Sequence, residues 1–202
     1  MKILQGFLIF MGALAVLAII ALMFGYVLAL LTPDTRANVR PVVLSSEAVD
    51  SLNKKLSDVK KITVAAEESK IAKDIELVIT EEEINSTIVM ALAEGTMPAK
   101  EMLVNFNDGY MLLYTSWNFT GMPVKTGIIG TLDVENGKPK FFIRDFYLGK
   151  LPVPDSVDGG VQDLVNVLFR LNAPMEELNF DLKEITIGDG QLKLAGTTKS
   201  GK

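Results

Sequence analysis

The chain has 202 residues, 49% hydrophobic and 22% charged, with 20 Lys and Arg against 25 Asp and Glu for a net charge of −5. It contains neither Cys nor His, which excludes thiol nucleophiles, disulfides, Cys/His zinc sites, haem ligation and His-based triads, so no metal or cofactor is expected. The acidic balance, with no basic stripe, argues against a nucleic-acid partner.

The apolar excess has one address: no charged side chain occurs between Ile3 and Thr32. The stretch Gly6 to Leu31 would make roughly 39 Å of helix, more than the ~30 Å hydrocarbon core requires. A cleaved signal peptide has a shorter apolar core of about 7 to 15 residues followed by a small-residue cleavage site. Residues 1–31 are therefore predicted as an uncleaved transmembrane anchor. Basic residues flank both ends, Lys2 before and Arg36 and Arg40 after, so the charge rule gives no topology. The short head before the span favours a single-pass cell-membrane protein with its domain outside the cytoplasm. Ala21, Gly25 and Ala29 form a small-xxx-small stripe compatible with close helix approach.

Residues 32–45, with Pro33 and Pro41, read as a juxtamembrane linker, and residues 46–202 as an extracytoplasmic α+β domain. Val49, Leu52, Leu56 and Val59 recur at helical spacing and predict an amphipathic helix from Ser46 to Lys61. Lys61 to Thr80 is expected to be extended, with Ile75, Leu77 and Ile79 alternating against Glu76 and Val78. Thr80 and Glu83 form a capping box for a second helix whose buried face is Ile84, Ile88 and Leu92 and whose end is Gly95. Glu81, Glu82 and Glu83 suit the positive end of that helix; consecutive helical residues fan around the axis, so they do not make a metal site.

Met102 to Phe106 and Tyr110 to Phe119 flank the hairpin turn Asn107-Asp108-Gly109. Val124 to Val134 and Lys140 to Leu148 flank Glu135-Asn136-Gly137. An amphipathic helix is predicted from Asp155 to Leu171, and a third hairpin turns at Gly188-Asp189-Gly190 between Leu178 to Ile187 and Gln191 to Ala195. The fold class expected is α+β: a curved antiparallel sheet packed around one or two helices behind an N-terminal transmembrane helix.

The strand Tyr110 to Phe119 is apolar on both sides, with Met111, Leu113, Trp117 and Phe119 opposite Tyr110, Leu112 and Tyr114. Phe141, Ile143 and Tyr147 likewise oppose Phe142, Phe146 and Leu148. Both faces require cover from a second layer, a partner or an apolar ligand, the alternative being a filled core. Residues expected to line a ligand site are Met111, Leu113, Trp117, Phe119, Phe142, Phe146 and Leu168. Catalysis would need a carboxylate pair or a Ser-Lys arrangement, for which the sequence offers Asp145, Asp155 and Asp158 near Lys150. Carboxylates at turns and helix starts serve as caps, and a non-enzymatic protein is expected.

The helix opening Thr80-Glu81-Glu82-Glu83-Ile84-Asn85, the hairpins, the segment Leu148-Gly149-Lys150-Leu151-Pro152-Val153-Pro154 and the closing Ile187-Gly188-Asp189-Gly190-Gln191-Leu192-Lys193-Leu194 resemble the YpmS-like family of single-span bacterial membrane proteins. More loosely they resemble the LmeA-type phospholipid-binding proteins. The resemblance implies a curved sheet wrapped around a helix, as in half of a tubular lipid-binding domain, and a role in binding or passing lipid or another hydrophobic ligand at the cell envelope. The alternative is a membrane-tethered assembly protein whose apolar surface docks a protein partner.

Overall fold

The computed structural model describes residues 17–95, 99–119, 122–153 and 180–199. An apolar helix, α1, occupies residues 17–30. Among the described residues, Leu17–Arg36 is the one stretch long and apolar enough to cross a membrane, and it is almost wholly unburied. There follow α2 (Asp34–Ala37), α3 (Ser46–Ser69), β1 (Asp74–Thr80), α4 (Glu81–Ala93), β2 (Glu101–Asn107), β3 (Tyr110–Phe119), β4 (Met122–Glu135), β5 (Lys138–Leu148), β6 (Leu151–Pro152), β7 (Phe180–Gly188) and β8 (Gln191–Thr198).

Helix α3 starts where Ser45 accepts a hydrogen bond from the Ala48 N–H at 3.1 Å. The sequence suggests an end near Lys61 and extended chain beyond; instead the helix runs to Ser69, and only Asp74–Thr80 is strand. The reason lies in Thr63 and Ala66, both buried. They continue the spacing of Val49, Leu52, Leu56 and Val59 by further steps of three and four, though neither is a large apolar residue. Lys70, at φ 56, ends the helix in the left-handed region. Helix α4 begins as expected, with both halves of the Thr80–Glu83 capping box formed.

The strands make two antiparallel sheets rather than one curved sheet. β2-β3-β4-β5-β6 form a five-stranded meander, and β1-β8-β7 form a three-stranded sheet. β1 does not join the meander because it pairs along its whole length with β8, from Asp74↔Thr197 to Thr80↔Gln191. The β4–β5 turn places Asn136 at φ 54 and Gly137 at φ 72, two successive left-handed residues that match the right-handed twist of the flanking strands. The helix expected from Asp155 to Leu171 lies outside the described residues.

The core lies between the sheets and under α3 and α4. Phe106, Met111, Leu113, Ile128 and Phe141 from the meander meet Leu77, Leu182, Ile187 and Leu194 from the smaller sheet, with Val59 and Ile88 from the helices. Phe141 is 1% exposed. Its ring occupies the space a side chain at Gly130 would fill, since a Cβ there would stand 2.4 Å from the ring.

One bulge alters the side-chain arithmetic of β5. Ile129 pairs with Asp145 and Gly130 with Ile143, so Arg144 is an extra residue on that strand. Simple alternation opposes Phe146 to Phe141 and Ile143; the bulge corrects this, and Phe146 packs on the same core.

Candidate functional site

The outer face of the meander is covered by the chain's own residues 33–40. Pro33, Thr35 and Val39 are buried, so the stretch expected as a linker is a packed strap. Gly127 makes room for it, because a Cβ there would lie 1.9 Å from the Thr35 hydroxyl. Arg36 stands 5.4 Å from the centre of the Tyr114 ring and pairs with Glu101 at 3.1 Å. Burial first, and then the Glu101 carboxylate, push the Tyr114 hydroxyl above its ordinary pKa against the opposing Arg36 charge. Further along, the Arg40 N–H donates to Asn105 Oδ1 at 2.6 Å.

The strap ends at a polar clamp on the free edge of β2. Arg40 Nη2 donates to the Phe106 carbonyl at 2.6 Å and to Glu81 at 2.7 Å, and its other terminal nitrogen pairs with Asp189. Glu81 also accepts from the Phe106 N–H at 2.6 Å. Asn85, fully buried, donates to the Val104 carbonyl at 2.7 Å and accepts from the Val104 N–H at 2.8 Å. Its amide thus takes the place of a neighbouring strand. Glu82 accepts from Ser45. Glu83 accepts from Ser51 at 2.6 Å and from the Thr80 N–H at 2.9 Å, and pairs with Lys55. Burial raises the Glu83 pKa, but the bonds from Lys55, Ser51 and Thr80 outweigh it and hold the carboxyl below the usual range. The three glutamates point to three separate sets of partners, as the fanning of a helix requires.

At the opposite end of the meander the sheet is fastened to α1. The Lys150 N–H donates to the Leu28 carbonyl at 2.8 Å, and the Gly149 N–H donates to the Lys125 carbonyl at 2.7 Å. Lys125 Nζ donates to Thr32 at 2.8 Å, and Lys150 pairs with Asp34 at 3.2 Å. Gly149, at φ 59, sits so close that a Cβ would be 2.3 Å from the carbonyls of Leu28 and Ala29. Above this junction the inner face of the sheet ends in apolar and hydroxyl residues: Met102 opposite Thr115, Thr126 opposite Leu148, and Trp117 opposite Val124. The Trp117 indole N–H donates to Thr115, whose hydroxyl is 2.6 Å from that of Thr126. This half-buried apolar end beside the candidate span is the candidate site.

The residues expected to line a ligand site are divided by the structure. Met111 and Leu113 are buried in the core, and Phe146 packs at its margin. Trp117 is at the α1 end. Phe142 is on the outer face, 39% exposed, with Lys140 Nζ 5.1 Å from its ring centre. The Phe119 side chain and Leu168 lie outside the described residues. Of the carboxylates considered for catalysis, Asp145 pairs with Arg144 and Lys150 is engaged by Asp34; Asp155 and Asp158 lie outside the described residues.

Sequence reasoning missed Val124 as the cross-strand partner of Trp117 and Met102 and Leu148 as residues of the same sheet end, and it missed the strap. The two-sided apolar pattern of β3 was the available signal, because Leu112 and Tyr114 needed a cover that proved to be residues 33–40. No protein-family model matches the chain, and no curated protein matches it significantly.

Proposed function

We propose that this chain is a membrane-anchored, non-enzymatic protein that binds or passes a lipid or another hydrophobic ligand at the cell envelope, with its domain on the extracytoplasmic side. The observation that carries the reading is the attachment of the apolar end of the meander to the end of the candidate span, through the Leu28–Lys150 hydrogen bond and the close fit of Gly149. A site there meets lipid without the domain having to leave the bilayer. Each Å² of acyl surface buried against Trp117, Met102, Leu148 and Phe146 contributes about 25 cal/mol before ordering costs. The resemblance to lipid-binding families supports the same class of ligand and the tubular arrangement that would enclose it.

A second reading has its own observation. The Ser45 N–H donates to Ser86 Oγ at 3.1 Å, bringing Val43 and Leu44 near the helical face of Ser86, Val89 and Met90. Those four apolar side chains are exposed and would suit a protein partner in an assembly role. Native mass spectrometry of the full chain after gentle detergent extraction separates the two. Lipid binding predicts a stoichiometric lipid adduct; a co-purifying protein without lipid overturns it in favour of assembly.

A further inference from the structure

Among the described strands, four antiparallel pairs of longer strands follow one another in sequence, β2–β3, β3–β4, β4–β5 and β7–β8, and the connection between β3 and β4 differs from the other three in composition. The turns at Asp108-Gly109, Glu135-Asn136-Gly137 and Asp189-Gly190 each carry an acidic residue within two positions of a glycine. The β3–β4 connection has no charged residue from Trp117 to Val124 and supplies Trp117, Phe119, Met122, Pro123 and Val124 instead. A solvated turn gains nothing from such a composition. It is also the connection at the end of the meander where α1 is attached.

The strap gives the direction of the bilayer. Traced backwards, it passes Asn105 at Arg40, Tyr114 at Arg36 and Lys125 at Thr32, then reaches Gly149 and Lys150 at Leu28. The first steps move toward the β3–β4 tip, from the level of Leu112 to Tyr114 and then Ser116, and Gly149 stands level with Lys125. β4 continues from Lys125 back to Met122, roughly 10 Å farther at about 3.4 Å per residue. The ribbon therefore reaches past the level at which the apolar helix ends.

We propose that the β3–β4 ribbon is a second membrane contact, inserted into the interfacial layer of the leaflet beside α1, with Trp117 at the headgroup level and Lys125 marking the boundary with water. Trp and Lys are suited to those positions because each joins an apolar body to a polar end. Insertion is shallow. Beyond Glu101↔Ser116 on one side and Thr126↔Leu148 on the other, no described strand flanks the ribbon, and its outward N–H and C=O groups need headgroups or water rather than hydrocarbon. This inference deepens the lipid-binding reading and rests on the membrane anchoring it assumes.

Trp117 is the only tryptophan, so its fluorescence reports the ribbon directly. The full chain is reconstituted in phosphatidylcholine vesicles carrying bromine at successive acyl depths. The expected result is at least a twofold loss of emission with the shallowest bromine and less with deeper ones, together with weak quenching by aqueous iodide. Equal intensity in brominated and plain vesicles with strong iodide quenching overturns the proposal. A Trp117→Phe, Tyr110→Trp variant reports the opposite end of β3 and is expected to escape bromine; quenching there equal to that at Trp117 also overturns it, since the whole domain would then lie in lipid. Quenching that saturates at one lipid per chain in detergent, without dependence on bilayer bromine content, supports the ligand reading and rejects insertion. Insertion without a stoichiometric adduct does the reverse.

Discussion

The two ends of the meander are built from opposite materials. At the far end, backbone groups of β2 are closed by charge and amide: Arg40, Glu81 and Asn85 engage Phe106 and Val104, and the neighbouring turns carry aspartate. At the α1 end, Glu101 lies level with Lys125 and Lys100 stands just beyond it, while β3 and β4 continue past that level without charge through Trp117 and Val124. One end is made for water and for holding its shape; the other is made for an apolar neighbour. A sheet with two such ends has a fixed orientation before any ligand is considered.

The strongest test of that contrast is at the far end. Asn85→Ala removes the partner of both the N–H and the C=O of Val104 in a fully buried site, and each group left unsatisfied costs about 1–3 kcal/mol. Stability to urea is expected to fall by roughly 3 kcal/mol, and a loss below half of that would show that the edge of β2 closes without the amide. At the other end, Gly149→Ala puts a methyl group against the Leu28 and Ala29 carbonyls at a positive φ. The core is remote from it, so the domain should lose no more than about 1–2 kcal/mol. Its orientation on α1 should loosen. Because the chain has no native Cys, spin labels at Leu22→Cys and Thr186→Cys can report this, and their distance distribution is expected to broaden.

The smallest effect concerns Glu83. Its pKa is lowered on folding, so its contribution is complete above the ordinary glutamate value and is lost as pH falls through the lowered one. Glu83→Gln should cost about 1–2 kcal/mol at neutral pH through the loss of a charge-assisted bond to Lys55. The difference from the parent chain should shrink on acidification. A difference independent of pH would place the effect in packing.

Local signals carried much of the fold. The Thr80–Glu83 box and the three glycine turns name their own structures, because the physics that forms them lies within a few residues. What escaped the sequence is either degenerate or distant. Thr63 and Ala66 face the core without being recognisably apolar, so α3 looked shorter than it is. The extra residue at Arg144 leaves no compositional mark, yet it turns Phe146 inward. The separation into two sheets depends on the pairing of β1 with β8, which periodicity alone cannot report. As for the site, the apolar character of β3 was legible, whereas its division into core residues and an exposed end depended on where β7 and residues 33–40 come to rest.

That pairing also sets an order on how the molecule is made. Lys73 and Thr198, which are bonded to each other, stand 125 positions apart, so β1 emerges from the ribosome long before the strand that completes it. Until β8 is synthesised, β1 is an unpaired template for whatever strand is near, and closing so long a loop is slow. Synthesis of β8, rather than growth of the first half of the chain, is therefore the step that shuts the smaller sheet, and nascent copies crowded together are most exposed to cross-pairing just before it.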